Sequence, residues 1–240
     1  DHRDLHYPLR RQRQMCIRDR PNIDIEEGWI NIRHKNRKDK FLFPRQGSSL
    51  YHMSKIMDTD LIWFYVRNYG LNVTDLMQGP VYGIYYDDKQ KNDELVPTFT
   101  YDDIFGTVLN RFIVQAVVGT PLTVYGSGSQ TRGYINVVDT IKCIKLTLEN
   151  KPKNGELAIY NQFTEQFTVN ELANLVKKSL ARIDIFAKIK KVSNPRIEKE
   201  KHYYNAKHSN IKKLGLKPLK LDKNIIIDIA EYVSRHKNNI

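Results

Sequence analysis

The sequence predicts an α/β fold built around a parallel sheet, with a smaller lobe toward the C-terminus. Three observations carry this. Residues 47–69 read as a helix that Gly70 stops, and a strand at 71–77 follows after a short turn, the crossover pattern of parallel sheets. Helix and strand patterns keep alternating from Tyr101 to the end of the chain. The 240 residues, 40% of them hydrophobic, suffice for a sizeable core as one domain, or as a domain plus a small lobe.

The elements follow in order. Residues 23–27 and 29–33 read as a short extended piece with a charged turn at 35–40. Ser48 or Ser49 can cap the first helix, whose apolar positions run through Tyr51, Ile56, Leu61, Phe64 and Val66. The strand at 71–77 ends at Gln78-Gly79-Pro80, and a polar loop at 85–100 leads to a helix near 101–118. Short strands are expected around 122–125 and 134–138, then a helix opened by Asp139 or Thr140. A strand at 156–160 precedes an amphipathic helix at 168–180, and the tail adds a strand near 185–192 and a helix near 224–233. The smaller lobe is expected to begin near Gly83, so that 21–83 belong to the sheet domain. Residues 84–240 are then mainly lobe, interleaved with returning sheet elements.

Residues 1–20 read differently. They are arginine-rich where the remainder is lysine-rich, and they show neither helical nor strand period. Gln14-Met15-Cys16-Ile17-Arg18-Asp19-Arg20 resembles the translation of an adapter used in sequencing libraries, so residues 1–20 are read as non-native.

Composition excludes several classes. No apolar run approaches the ~20 residues of a membrane helix. Cys16 and Cys143 are the only cysteines, and no His-x3-His or Cys-x2-Cys spacing occurs, which argues against a disulfide framework and against zinc. The net charge of +12 raises the question of nucleic acid. Residues 177–240 hold seventeen basic against six acidic residues, whereas 21–176 hold sixteen against eighteen. An excess confined to the tail, with Lys188, Lys190, Lys191, Lys212, Lys213 and Lys217 set among apolar residues, reads as a solvated face or as a site for anionic ligands. Neither reading calls for nucleic acid or membrane.

Four segments carry candidate chemistry. Tyr51-His52-Met53-Ser54-Lys55 sets a phenol and an ammonium four residues apart, on one face of the helix. A tyrosine titrating near ~10 must be lowered by roughly 3 pH units, about 4 kcal/mol, to serve as a base near neutrality. A fixed positive charge supplies part of that. Gln78-Gly79-Pro80-Val81-Tyr82-Gly83 lies beyond a strand's carboxyl end, where open α/β sheets bind ligands; it also reads as an ordinary turn. In Tyr125-Gly126-Ser127-Gly128-Ser129-Gln130-Thr131-Arg132-Gly133-Tyr134, the glycines admit close backbone approach and Arg132 offers a planar fork for phosphate oxygens, unless the stretch is a hairpin with a surface arginine. Asn194-Pro195-Arg196 and His202-Tyr203-Tyr204-Asn205 add another arginine and aromatic hydrogen-bonders.

In this order, and together with Pro21 to Gly28, Asn161-Gln162-Phe163-Thr164-Glu165-Gln166-Phe167 and His202 to His208, these segments resemble the extended short-chain dehydrogenase/reductase superfamily of nucleotide-sugar enzymes. The likeness runs from about residue 21 to the C-terminus and is strongest to a sulfite-using branch. Asn161 to Phe167 separates that branch from ordinary epimerases better than Tyr-x3-Lys does. The resemblance implies a partial Rossmann-like parallel sheet, its N-terminal strands missing, with a smaller C-terminal substrate-binding lobe. It implies NAD as cofactor and UDP-glucose with sulfite, or a sulfite donor, as substrates. Hydride would pass from sugar C4 to NAD, water would leave across C5–C6, sulfite would add at C6, and hydride would return to C4.

Carried onto this chain, Tyr51 is the base for the 4-hydroxyl, Lys55 lowers its pKa and holds the nicotinamide ribose, and His52 moves protons at C5 or C6. Gln78 and Val81 fall where cofactor and sugar meet. Arg111, Arg132 and Arg196 face the uridine diphosphate, and Thr123 and Tyr125 line the uridine side. The resemblance further implies a homodimer at full length, in a cytoplasm or a plastid stroma. One departure stands out. The superfamily's Gly-x-x-Gly-x-x-Gly phosphate loop, and the Thr that helps polarise the 4-hydroxyl, precede the region matched here and do not occur in it. The chain is therefore expected to be the C-terminal portion of an enzyme. A UDP-sugar 4-epimerase or 4,6-dehydratase, or an inactive nucleotide-sugar-binding module, are the other readings.

Overall fold

A computed structural model describes residues 22–47, 49–85, 91–102, 105–194 and 206–240. The suspect segment 1–20, the cap candidate Ser48, and Arg196 with His202 to Asn205 lie outside them. The chain divides into two compact units, at Phe64 and Tyr65.

In the first unit, β1 (Asn22–Glu26), β2 (Trp29–His34) and β3 (Arg37–Leu42) form an antiparallel meander. The expected charged turn at 35–40 is mostly strand; only Lys35 and Asn36 turn, with Lys35 at φ 52. Arg37 to Lys40 lack an apolar alternation, but the ladder to β2 and the Lys40 ammonium 4.0 Å above the Trp29 ring hold them extended. Trp29 is buried and packs edge-on against Trp63 at 4.9 Å. Trp63 lies on α1 (Leu50–Tyr69), where the Ser49 hydroxyl accepts from the His52 N–H at 3.2 Å, an N-cap bond. Gly70, at φ +66, ends that helix as expected.

The second unit is an α/β body. β4 (Val73–Gln78) pairs in parallel with β8 (Leu157–Gln162), and β6 (Leu122–Tyr125) with β10 (Ile189–Val192). β5 (Val81–Tyr82) runs parallel to β7 (Thr131–Asn136), whose other edge takes the antiparallel β9 (Glu165–Thr168). The α/β class with parallel pairing therefore holds. The core lies under α2 (Val108–Val118), α4 (Val169–Leu180) and α6 (Lys223–Arg235), which bury Leu109, Phe112, Ile113, Leu172, Val176, Ile226 and Ile229 against Leu122 and Val124. At roughly 1.5–3 kcal/mol per buried large apolar side chain, this cluster supplies the main driving force of the unit.

Several boundaries differ from the sequence reading, each for a local reason. α2 starts at Val108 rather than near 101 because the Thr107 hydroxyl caps it, accepting from the Asn110 N–H. α3 (Val137–Glu149) is opened by Asn136, whose side chain accepts from the Val138 N–H, and not by Asp139 or Thr140. The Asp139 carboxylate is fully buried and accepts from the Leu219 N–H at 2.6 Å. Thr168 and Glu171 form a reciprocal capping box at the start of α4. β9 and the short α5 (Asn210–Lys213) were not foreseen.

Candidate functional site

On α1, Tyr51 and Lys55 share a face, with the Lys55 ammonium 5.9 Å from the centre of the Tyr51 ring. The ammonium bonds Asp58 at 3.1 Å, and that hydrogen bond, followed by the same carboxylate's charge, raises the Lys55 pKa. His52 lies alongside, its ring centre 6.0 Å from that of Tyr51. Tyr51 is 68% exposed, so the phenol, imidazole and ammonium form an open, hydrated cluster in the first unit.

The second unit contains a cavity of about 320 Å³ lined by Pro80, Thr107, Arg111, Tyr125, Gln130, Arg132, Tyr134 and Asn194, among others. Two arginines from different elements, α2 and β7, converge here. The Arg111 guanidinium lies 4.1 Å over the Tyr125 ring and donates to the Thr123 carbonyl at 3.2 Å. Thr123 itself does not line the cavity; its hydroxyl accepts from Gln115, so it steadies Arg111 from behind. Arg132 donates to the carbonyl of Thr131. Burial pushes the Tyr134 phenol up to about 12, against the pull of the Arg132 charge, so it stays a neutral hydroxyl.

Sequence reasoning did not single out Gln130. Its side chain is 7% exposed, and its Oε1 is buried without a hydrogen-bond partner among the described residues. A buried acceptor left so costs roughly 1–3 kcal/mol. The arrangement suits an occupant that is anionic and also carries a donor. Its signal was within the glycine-rich stretch all along, but burial of that side chain is a tertiary property. The turn feeding it is tight: Gly128 has φ +71, and a Cβ there would collide with the Asn170 side chain, which bonds the Ser127 carbonyl.

Gln78 closes β4 and faces its register partner Gln162, donating from Nε2 to Gln162 Oε1 at 3.3 Å. At the adjacent Gly79, a Cβ would stand 2.5 Å from the Gly133 carbonyl, so only glycine lets these two backbones meet. Val81 opens β5 opposite Ile135. Asn161 to Phe167 forms a hub. Asn161 donates to the Lys207 carbonyl at 2.7 Å, Phe163 stacks on His208 at 4.4 Å, and Glu165 accepts from the Tyr82 hydroxyl at 2.9 Å and the Leu221 N–H at 2.7 Å. Burial, then the Glu165 carboxylate, raises the Tyr82 pKa strongly. Of the candidate residues, Arg111, Tyr125 and Arg132 share the cavity; Tyr51, His52 and Lys55 form the helix cluster in the other unit. Among the described residues no group of His, Cys, Asp and Glu is placed to hold a metal ion, and no helix is long and apolar enough to cross a membrane.

Residues 34–161 match the NAD dependent epimerase/dehydratase family, and the chain belongs to it. It is 46% identical over 220 residues to the chloroplastic UDP-sulfoquinovose synthase of Spinacia oleracea, a match covering 92% of this chain and 46% of that protein. It is 41% identical over 220 residues to the UDP-sulfoquinovose synthase of Sulfolobus acidocaldarius, covering 90% of this chain and 56% of that one. The chain thus spans about half the length of the curated relatives it matches. Among solved structures, UDP-glucuronic acid 4-epimerase of Bacillus cereus, in complex with UDP-glucuronic acid and NAD, superimposes with a TM-score of 0.60 at 21% identity, covering 81% of this chain and 55% of that chain. That likeness shows the fold, a Rossmann-like α/β sheet.

Proposed function

We propose that this chain is the part of a UDP-sulfoquinovose synthase that carries the tyrosine helix and the nucleotide-sugar pocket. The single observation that carries this reading is the cavity in which Arg111, Arg132, Tyr125 and the buried acceptor of Gln130 converge. A nucleoside diphosphate answers both needs at once, with phosphate oxygens for two guanidinium planes and nucleoside N–H or O–H groups for Gln130. The 46% and 41% identities to two synthases of that name support this sugar chemistry.

NAD is the family's cofactor, and its chemistry would be hydride exchange at sugar C4. The residues present suit one end of it. Tyr51 and Lys55 stand exposed on one helix face, a phenol and an ammonium suited to ribose hydroxyls, and Gln78 and Val81 lie at strand ends. No Gly-x-x-Gly-x-x-Gly loop occurs in the sequence, so no pyrophosphate cradle of that kind is assigned to these residues.

Tyr51 takes the proton from the UDP-glucose 4-hydroxyl, with the Lys55 ammonium on the same helix face. His52 is placed beside it to move the C5 proton, which a 4-ketone acidifies, and to assist loss of water across C5–C6. Sulfite then adds to C6. Arg111 and Arg132 hold the diphosphate with Tyr125 on the uridine side, Thr123 acting through Arg111, and Arg196 joins the same anion. The full-length protein would work as a homodimer, in a cytoplasm or plastid stroma, with sulfite free or brought by a donor.

The test is turnover of UDP-glucose by the full-length protein with and without sulfite. Sulfite-dependent formation of a sulfonated UDP-sugar is expected. A 4-epimerised or 4,6-dehydrated product without sulfite would assign the chain to another member of the family. UDP-glucose binding without any turnover would make it a binding module.

A further inference from the structure

The amide of Gln162 is held in one orientation, and it imposes that orientation on Gln78. The two residues are register partners in the parallel β4–β8 pair, so their side chains leave the same face of the sheet. Gln162 is 1% exposed. Its Nε2 donates to the Thr140 carbonyl of α3 at 3.2 Å. A carbonyl can only accept, so the Gln162 NH₂ must face Thr140 and its Oε1 must face Gln78. Gln78 must in turn direct its own NH₂ inward, at 3.3 Å, which turns its Oε1 outward at the exposed carboxyl end of β4. That end lies two residues before Pro80, which lines the arginine cavity.

We propose that Gln162 is a positioning residue which fixes Gln78 as a hydrogen-bond acceptor toward the ligand, so that this site selects a sugar presenting a hydroxyl there. The inference rests on the nucleotide-sugar reading above, although the amide polarity itself does not. A swivelling Gln78 amide would greet a hydroxyl or a carbonyl equally well. A fixed one discriminates, because a ligand acceptor at that point would oppose a carbonyl oxygen.

Two measurements on the full-length protein test this. The first needs no ligand: side-chain amide NMR of Gln78 and Gln162. In the wild type both NH₂ groups show hydrogen-bonded shifts, and Gln162→Leu moves the Gln78 NH₂ signals to solvent-exposed positions. Unchanged Gln78 signals would overturn the relay. The second is calorimetry with UDP-glucose and with UDP. Gln162→Leu should weaken UDP-glucose about tenfold and leave UDP unchanged, the size of one oriented hydrogen bond. Gln162→Glu supplies a readout that a packing role would not move. The introduced carboxyl can accept from the Gln78 NH₂ in either protonation state, so it keeps Gln78 oriented where leucine cannot. UDP-glucose affinity lost in Gln162→Leu should therefore be largely restored in Gln162→Glu. Equal loss of UDP and UDP-glucose in Gln162→Leu, or no restoration in Gln162→Glu, would overturn the proposal. Failure of the wild type to bind either nucleotide would instead sink the nucleotide-sugar reading, while the NMR result would still decide the amide polarity.

Discussion

Replacing Arg111 with lysine keeps the charge and removes the plane, which makes it a sharp probe of the cavity. The guanidinium does two things at once: it lies 4.1 Å over the Tyr125 ring and donates to the Thr123 carbonyl at 3.2 Å. Its several N–H groups, spread over a plane, can hold that carbonyl and a ligand oxygen together; a lysine ammonium is one atom and must choose. If it takes the ligand, the Thr123 carbonyl loses a bond of about 1 kcal/mol, and the ring contact, about 0.5–1 kcal/mol, goes too. The sum of roughly 1.5–2 kcal/mol corresponds to a dissociation constant about 10- to 30-fold higher for a diphosphate ligand. The assay is calorimetry of Arg111→Lys with UDP, with uridine as the ligand that lacks phosphates. Uridine should bind as in the wild type. Equal weakening of uridine and UDP would refute the assignment of this guanidinium to the phosphates.

Three further outcomes are expected. Tyr82→Phe removes a hydroxyl bonded to the Glu165 carboxylate at 2.9 Å; a charge-assisted bond of ~1.5–3 kcal/mol corresponds, in a protein of this size, to a Tm lower by about 3–12 °C by calorimetry. Asp58→Asn should lower the Lys55 pKa, followed by NMR titration, because the Asp58 hydrogen bond and charge raise it. That raised value adds stability which is present below 10.5 and is lost as the pH rises through the folded pKa, so the variant should differ from the wild type below that pH and converge with it above. Burial pushes the Cys143 thiol from 9.0 up to about 11, so in a Cys16→Ser background it should resist alkylation at pH 8 and react only in denaturant. Its contribution to stability is present below 9.0 and fades as the pH climbs to about 11.

Local chemistry was the legible part of this fold. β6 showed itself by apolar alternation in Leu122 and Val124, both fully buried, and α1 by its serine cap and terminal glycine. What the sequence hid depends on distant neighbours. β3 is charged along its length and becomes a strand because β2 offers a ladder and Trp29 a ring for Lys40. Asp139, Thr140 and Asn136 are equally plausible caps by residue type. The choice falls to Asn136 because the Asp139 carboxylate is taken up by Leu219, eighty positions on. The same holds at the site. Arg111 and Arg132 were both named from the sequence, but that they meet in one cavity follows from the packing of α2, β6 and β7. Gln130 escaped notice since a glutamine in a glycine-rich turn looks like a surface residue until Val169 and Asn170 close over the turn.

The stretch Lys217-Pro218-Leu219-Lys220-Leu221 has no regular structure, yet its spacing is set like that of a strand. Asp139 catches the amide of Leu219 and Glu165 the amide of Leu221, while Leu219 offers its carbonyl to Tyr82. Between two carboxylates on separate elements, only every second amide fits, and Pro218, having none, could not take either place. Sliding the chain by one position would present Pro218 to one acid and Lys220 to the other. This connection is therefore a ruler rather than a slack tether. Among homologous chains its length should vary far less than its lack of helix or strand would suggest, and an inserted residue here should cost more than one in an untethered connection.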